Sequence, residues 1–169
     1  STENWKRPKK EVEYLFSLLH DFLLEKTNQL NNNNIKLKII GNKKLLPKKL
    51  LKILYNSEKK TLYNNKLQIN LALNYGSKDE LINAIKLIKK KKVSLTEKNI
   101  DENLYTKLIP NPDILIRTGD TNRLSNFLLW QLAYSEIFFI KKLWPDFTKN
   151  DYIKILNKFL KIKRNFGSI

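Results

Sequence analysis

The chain has no cysteine, which excludes a disulfide framework, thiolate metal sites and cysteine nucleophiles together. That fits an intracellular protein. Methionine is absent too, and the single histidine, His20, sits inside a regular helical pattern with no recognisable partner; no catalytic role is assigned to it. No apolar run approaches the ~20 residues of a membrane span, and none has the order of a secretory signal. Acidic residues are scarce: 16 Asp and Glu stand against 33 Lys and Arg, a formal charge of +17. Such a field attracts nucleic acid, anionic lipid headgroups and diphosphates. Most lysines, however, are spread along helix faces and loops among asparagines, as in residues 89–92 and 31–34, which reads as compositional bias on a solvated surface. Charge is all that favours a nucleic-acid-binding domain, since no named fold motif or aromatic-basic platform accompanies it.

What is present suffices for one domain with a real core: 169 residues, 41% hydrophobic. Pro8 suits the first turn of a helix, and Val12, Leu15, Phe16, Leu19, Phe22 and Leu23 recur at helical spacing to about residue 28. Residues 35–40 alternate Ile and Leu with Lys as a strand, Gly41-Asn42 turns the chain, and Pro47 opens a helix running towards Thr61. A second strand, 67–73, ends at Asn74-Tyr75-Gly76, after which Ser77 and Glu80 form a capping-box pattern for a helix through Ile88. Residues 101–105 suggest a short helix. Strand, glycine turn and helix in succession point to an α/β fold with crossover connections. Residues 137–140 read as a further strand, and Thr148 with Asp151 caps a last helix through Leu160.

The stretch from Pro112 to Glu136 organises the rest. Residues 113–117 form a short aliphatic run ending in Arg117, which reads as a buried strand. A loop follows with Gly119 and Arg123, and Ser125-Asn126 then cap an apolar run, 127–134, spaced as a helix. Ligands of α/β sheets sit beyond the carboxyl ends of strands, and helix starts favour anions. Two readings of Arg117 and Arg123 stand side by side: ordinary surface or ion-pairing cations, or part of a cradle for phosphate or diphosphate.

The pattern P-D-x-L-I-R-T-G, then R-L-S-N-F-L-L-W-Q-x-A-Y-x-E, then Leu143-Trp144-Pro145-Asp146-Phe147 resembles the C-terminal signature of cis-prenyltransferases, the undecaprenyl diphosphate synthase family. The opening block Ser1-Thr2-Glu3-Asn4-Trp5-Lys6-Arg7-Pro8, the Asn74-Tyr75-Gly76 block and the tail Arg164-Asn165-Phe166-Gly167 fall in the family's order. The resemblance implies a mostly parallel central sheet flanked by helices. It also implies repeated condensation of isopentenyl diphosphate, in the cis sense, onto an allylic, farnesyl-type diphosphate to give a long-chain polyprenyl diphosphate, with Mg²⁺ assisting departure of diphosphate. By the same resemblance Ser1, Asn4 and Trp5 support catalysis and hold the allylic substrate, with Asn4 able to relay a proton. Arg7 contacts a diphosphate, Arg117, Arg123 and Ser125 bind isopentenyl diphosphate, and Glu136 is a metal-associated carboxylate. The first helix would line the tunnel for the growing chain. A homodimer is implied, in the cytoplasm with peripheral membrane contact and no specific nucleic acid partner. The bland readings are a packing aromatic for Trp5 and a surface acid for Glu136.

The chain departs from the family in places. Asp120-Thr121-Asn122 stands where bacterial members usually read Gly-Glu-His, Ser77-Lys78 where Gly-Arg is usual, and Asn165 where arginine is common. The family's Asp-Gly-Asn-Gly-Arg loop, whose aspartate binds Mg²⁺, has no match here. The expectation is therefore a single domain corresponding to the C-terminal two-thirds or so of a cis-prenyltransferase, without transferase activity of its own in isolation. A non-catalytic accessory subunit of a two-subunit prenyltransferase is the alternative.

Overall fold

The computed structural model of the chain describes residues 1–165, in two compact units, Ser1–Lys107 and a second beginning at Leu108. In the first unit a short 3-10 turn, Thr2–Lys6, leads into α1 (Lys9–Asn32), β1 (Ile35–Ile40), α2 (Lys48–Lys60), β2 (Leu67–Ala72), α3 (Ser77–Lys91) and the short α4 (Glu97–Asp101). β1 and β2 pair in parallel, Ile35 opposite Leu67 through Ile40 opposite Ala72, so α2 is the crossover that a parallel pair requires. The core gathers Leu23 of α1, Leu37 and Ile39 of β1, Leu46, and Leu50 and Leu54 of α2. Leu50 and Leu54 are one helical turn apart and both essentially buried, each stabilising the fold by roughly 1.5–3 kcal/mol. Beside this apolar contact α1 and α2 share a polar one: Thr27 Oγ1 and Ser57 Oγ lie 2.7 Å apart, both buried.

Only Val12, Leu23 and Thr27 of α1 are buried, while Tyr14, Leu18, Phe22 and Leu24 stay more than half exposed. The apolar stripe therefore serves more than the core of this unit.

Gly41 follows β1 with φ +112°, and a Cβ there would stand 2.1 Å from the Leu73 carbonyl oxygen. The backbone after β1 passes too close to the backbone after β2 for any side chain, and the dihedral suits glycine alone. Gly41→Ala is expected to destabilise the protein by about 2 kcal/mol or more, read as a lowered midpoint in urea unfolding.

The Ser77/Glu80 capping box is not formed. Gly76 is the N-cap residue and makes no side-chain cap hydrogen bond, and Glu80 turns inward instead. It is 1% exposed, accepting from the Tyr75 hydroxyl at 2.5 Å and from the Tyr105 backbone N–H at 2.7 Å. α3 ends at Lys92, whose left-handed φ of 55° breaks the helix. The short helix expected at residues 101–105 forms four residues earlier as α4, because the Thr96 side chain caps it at Asn99 N–H.

The second unit holds β3 (Ile114–Thr118), β4 (Glu136–Ile140) and α5 (Lys149–Phe159). β3 and β4 also run parallel, from Ile114 opposite Glu136 to Thr118 opposite Ile140. The helix expected over residues 127–134 is a series of turns. Ser125, Asn126 and Leu128 all take positive φ, of 48°, 59° and 47°, leaving the right-handed helical region three times within four residues. Arg164 pins the tail by donating to Asp113 Oδ1 at 2.6 Å and to the Tyr134 carbonyl at 3.0 Å, with its guanidinium over the Phe159 ring. Phe166 and Gly167 lie outside the described residues.

At α5 the expected capping box is complete: Asp151 N–H donates to Thr148 Oγ1 and Thr148 N–H to Asp151 Oδ2. The Lys142 ammonium, 2.9 Å from Asp151 Oδ2, and the Thr148 hydroxyl and N–H hold this carboxyl well below the usual carboxylate range. A depressed folded value means stability that is present above the unfolded value of about 3.9 and is lost as pH falls through the folded one. Thermal melts are expected to hold this contribution from neutral pH to about 4 and lose it only in stronger acid, a loss that Asp151→Asn should remove. Thr148→Ala should cost about 1 kcal/mol at neutral pH.

Candidate functional site

The opening 3-10 turn carries Ser1, Asn4, Trp5 and Arg7 on one short segment. Its attachment is made from backbone: Thr2 N–H donates to the Tyr75 carbonyl at 3.0 Å, placing the turn beside the carboxyl end of β2. Ser1, Asn4 and Trp5 then line a pocket of about 140 Å³ with Val12, Leu15, Phe16 and Leu19 of α1 and with Ala72, Leu73 and Asn74 after β2. Its walls are largely apolar and its polar groups sit on the turn and on Asn74. Trp5 packs tilted against Phe16, with ring centroids 5.6 Å apart, and its indole N–H donates to Asn74 Oδ1 at 2.6 Å. Three of the four residues expected from the opening block are thus brought together, and of the exposed apolar residues of α1 only Leu15 serves as pocket wall. Arg7 is not among the lining residues; it pairs with Glu11 one helical turn on, at the surface, where such a pair contributes little.

In the second unit Arg117 leaves the end of β3 with its guanidinium held twice. Nε donates to Thr121 Oγ1 at 2.9 Å and Nη1 to Ser125 Oγ at 3.2 Å. Thr121 belongs to the departure Asp120-Thr121-Asn122, and its hydroxyl orients the arginine. The loop's shape follows from left-handed residues, Gly119 at φ +96° and Asp120 at φ 52°, and from Gly119 N–H donating to the Lys142 carbonyl at 2.8 Å. A Cβ on Gly119 would meet nothing within 4 Å, so the loop lies open there. Arg123 is exposed and pairs with no carboxylate or other acceptor among the described residues. Arg117, Ser125 and Thr121 therefore form one constellation of donors at a strand's carboxyl end, with Arg123 a free cation on the same loop.

Glu136 is placed elsewhere. Paired residues of a parallel sheet share a face, so Glu136 lies on the face of Ile114 and Ile116, opposite to that of Arg117. It also starts its strand, three residues before Phe139, the register partner of Arg117, which is about 10 Å along the strand. Its carboxyl is half-buried and without a partner among the described residues. No group of three or more Asp, Glu, His or Cys among the described residues could hold a metal. His20 contacts its neighbour, with Nδ1 3.0 Å from Asp21 Oδ1, and is not among the residues lining the pocket.

Sequence reasoning passed over Asn74 as a site residue and over Thr121 as an orienting one. Asn74 had only its place in the Asn-Tyr-Gly block to mark it, and its partner Trp5 is 69 residues away.

Comparison with known proteins places the chain in a family. Residues 1–167 match the family described as "Putative undecaprenyl diphosphate synthase". The isoprenyl transferase of Thermotoga maritima is 43% identical over 174 aligned positions, covering all of this chain and 75% of its own. Among solved structures, a probable undecaprenyl diphosphate synthase from Campylobacter jejuni superposes with a TM-score of 0.91 at 40% identity, over 99% of this chain and 79% of that one. Lavandulyl diphosphate synthase from Lavandula x intermedia, solved with dimethylallyl diphosphate, gives a TM-score of 0.92 at 31% identity, over 99% of this chain and 75% of that one. With an apolar pocket at the end of β2, an oriented arginine at the end of β3, and this match across nearly its whole length, the chain belongs to the undecaprenyl diphosphate synthase family of cis-prenyltransferases.

Proposed function

We propose that this chain is a prenyl-transferring enzyme that condenses isopentenyl diphosphate with an allylic diphosphate in the cis sense, repeatedly, to a polyprenyl diphosphate. The observation that carries the reading is the Arg117 guanidinium, set at the end of β3 by Thr121 and Ser125. A diphosphate has oxygen acceptors for the N–H groups those hydroxyls leave unused, and charge-assisted bonds to it are the strong ones. Arg117, Arg123 and Ser125 are read as the holders of isopentenyl diphosphate. Ser1, Asn4 and Trp5 line the pocket that takes the allylic substrate. Its apolar walls exclude water from the hydrocarbon, and Asn4 offers an amide able to hold or relay a proton. Arg7 is a surface cation of that segment, and a diphosphate would compete with Glu11 for it.

Mg²⁺ is part of the proposal. It takes six oxygens and is usually held by one or two carboxylates beside waters and substrate phosphates; the half-buried Glu136 carboxyl would be a single protein ligand for it, on the face of the strand pair opposite to Arg117. When bound, Mg²⁺ neutralises the charge that gathers on the departing diphosphate. A homodimer and peripheral contact with an anionic membrane surface complete the reading. The formal charge of +17 supports the latter, and no helix among the described residues is long and apolar enough to cross a membrane.

The test is incorporation of labelled isopentenyl diphosphate onto farnesyl diphosphate with Mg²⁺, using the longest form of the chain, with product length read by chromatography. Polyprenyl diphosphates are expected. Absence of any incorporation by a folded sample would overturn the reading.

A further inference from the structure

Trp5 is 38% exposed, lies outside the core cluster, and yet is held by a buried amide. We propose that Asn74 is a positioning residue for the apolar pocket of the first unit: it fixes the plane of the Trp5 indole and so sets the shape of the site that receives the hydrocarbon end of the allylic substrate. The proposal rests on the reading of the chain as a prenyl-transferring enzyme.

Both ends of the Asn74 side chain are committed. Oδ1 accepts from Trp5 Nε1 at 2.6 Å, and Nδ2 donates to the Asn42 carbonyl at 2.8 Å. Turning the amide over would set donor against donor and acceptor against acceptor, so its orientation follows from chemistry. Asn74 itself has little freedom. It is 8% exposed, its carbonyl accepts from Asn42 N–H at 3.2 Å, and its φ of 46° is one that asparagine tolerates better than most residues. Gly41, which admits no side chain against Leu73, brings the Asn42 segment up to the Asn74 segment. Three stretches of chain therefore meet behind one indole ring: the opening turn, the loop after β1 and the loop after β2.

The ring is where this effort is directed. On one side Trp5 meets Phe16, and with Leu15, Leu19 and Leu73 it walls the pocket. An indole without its acceptor would be free to choose other rotamers, and the wall would move with it. The bond serves both partners: the ring's N–H satisfies the Asn74 acceptor, which would be costly to leave unpaired in a buried place, and the amide in turn holds the half-exposed ring.

The experiment compares wild type with Asn74→Gly, Trp5→Phe and the double variant. Asn74→Gly keeps a backbone able to take positive φ while deleting the amide, and Trp5→Phe keeps an aromatic while deleting the N–H. Dissociation constants for farnesyl diphosphate and for isopentenyl diphosphate are measured by calorimetry, with KM and kcat for each and a thermal midpoint alongside. Each single variant is expected to weaken farnesyl diphosphate binding by about tenfold, the worth of one such hydrogen bond, and to leave isopentenyl diphosphate within about twofold. The double variant should be no weaker than the singles, since both remove one interaction. Additive losses, or equal losses for both diphosphates accompanied by a lower thermal midpoint, would overturn the proposal and leave Asn74 a structural residue. Should Asn74→Gly not fold, Trp5→Phe decides alone: unchanged farnesyl diphosphate affinity sinks the clamp. A wild type that binds neither diphosphate overturns the proposed function and this inference with it. A wild type that binds farnesyl diphosphate beside an Asn74→Gly that binds it equally well overturns this inference only.

Discussion

Arg117→Ala is expected to lower kcat/KM for isopentenyl diphosphate by at least about a hundredfold while leaving the thermal midpoint within a degree or two of wild type. The size follows from the bonds at stake. A charge-assisted hydrogen bond contributes about 1.5–3 kcal/mol, a guanidinium aimed at a diphosphate makes two of them in the bidentate case, and each 1.4 kcal/mol is about tenfold in rate or affinity. The small stability effect follows from where Arg117 sits. Its protein partners are two hydroxyls, Thr121 at 2.9 Å and Ser125 at 3.2 Å, and both can turn to water when it is gone. Lysine should rescue poorly, because a point charge cannot contact Thr121, Ser125 and a diphosphate from one planar group. A Thr121→Val variant separates orientation from charge: the cation remains but loses the hydroxyl on Nε, and the loss should be smaller, about threefold to tenfold. Steady-state kinetics on the three variants checks the order. An Arg117→Ala enzyme with wild-type kcat/KM would remove this arginine from the substrate site.

Glu80→Ala should be the most damaging single change to stability. The side chain is 1% exposed and accepts from two separate donors, the Tyr75 hydroxyl and the Tyr105 backbone N–H. Truncation leaves both donors in a dry cavity, and each buried unsatisfied group costs about 1–3 kcal/mol on top of the void. A loss of about 3–5 kcal/mol is expected, a large part of the 5–15 kcal/mol by which domains are usually stable. Glu80→Gln distinguishes this account from a simple volume effect. Its carbonyl can still accept from Tyr105, and its amide can donate to a Tyr75 hydroxyl that reverses its role. That variant should keep more than half of the lost stability. Urea unfolding of the three proteins measures the ranking, and equal losses for Ala and Gln would mean that ionic charge, not hydrogen-bond satisfaction, holds the site.

Legibility in the sequence followed how local each cause was. Residues 35–40 alternate apolar and basic side chains and form β1 over those same residues. The Thr148/Asp151 pattern is a capping box because both partners lie within one turn. Ser77/Glu80 has the same spacing and forms none, since Glu80 has the stronger alternative of Tyr75 and Tyr105, and Tyr105 comes into reach only after the chain has passed through α3 and α4. The apolar run 127–134 carries helical periodicity, and the turns there come from positive φ at Ser125, Asn126 and Leu128, of which only asparagine advertises that preference. The opening block and the arginine loop were readable as motifs. What motif spacing could not express is direction: Glu136 belongs to the same signature as Arg117 and yet faces the other side of the strand pair.

The two parallel pairs have a consequence for how the chain is made. Ile35 meets Leu67 and Ile114 meets Glu136, so each ladder joins segments only about two or three dozen residues apart in sequence. Loop-closure entropy for such separations is modest, and domains generally fold from the amino terminus as they are synthesised. β1, α2 and β2 can thus close over their leucine core while the arginine loop is still being translated, and the Asn42–Asn74 and Trp5–Asn74 bonds can form before Arg117 leaves the ribosome. The apolar pocket is on this account the older structure in the life of each molecule, and the arginine loop the younger.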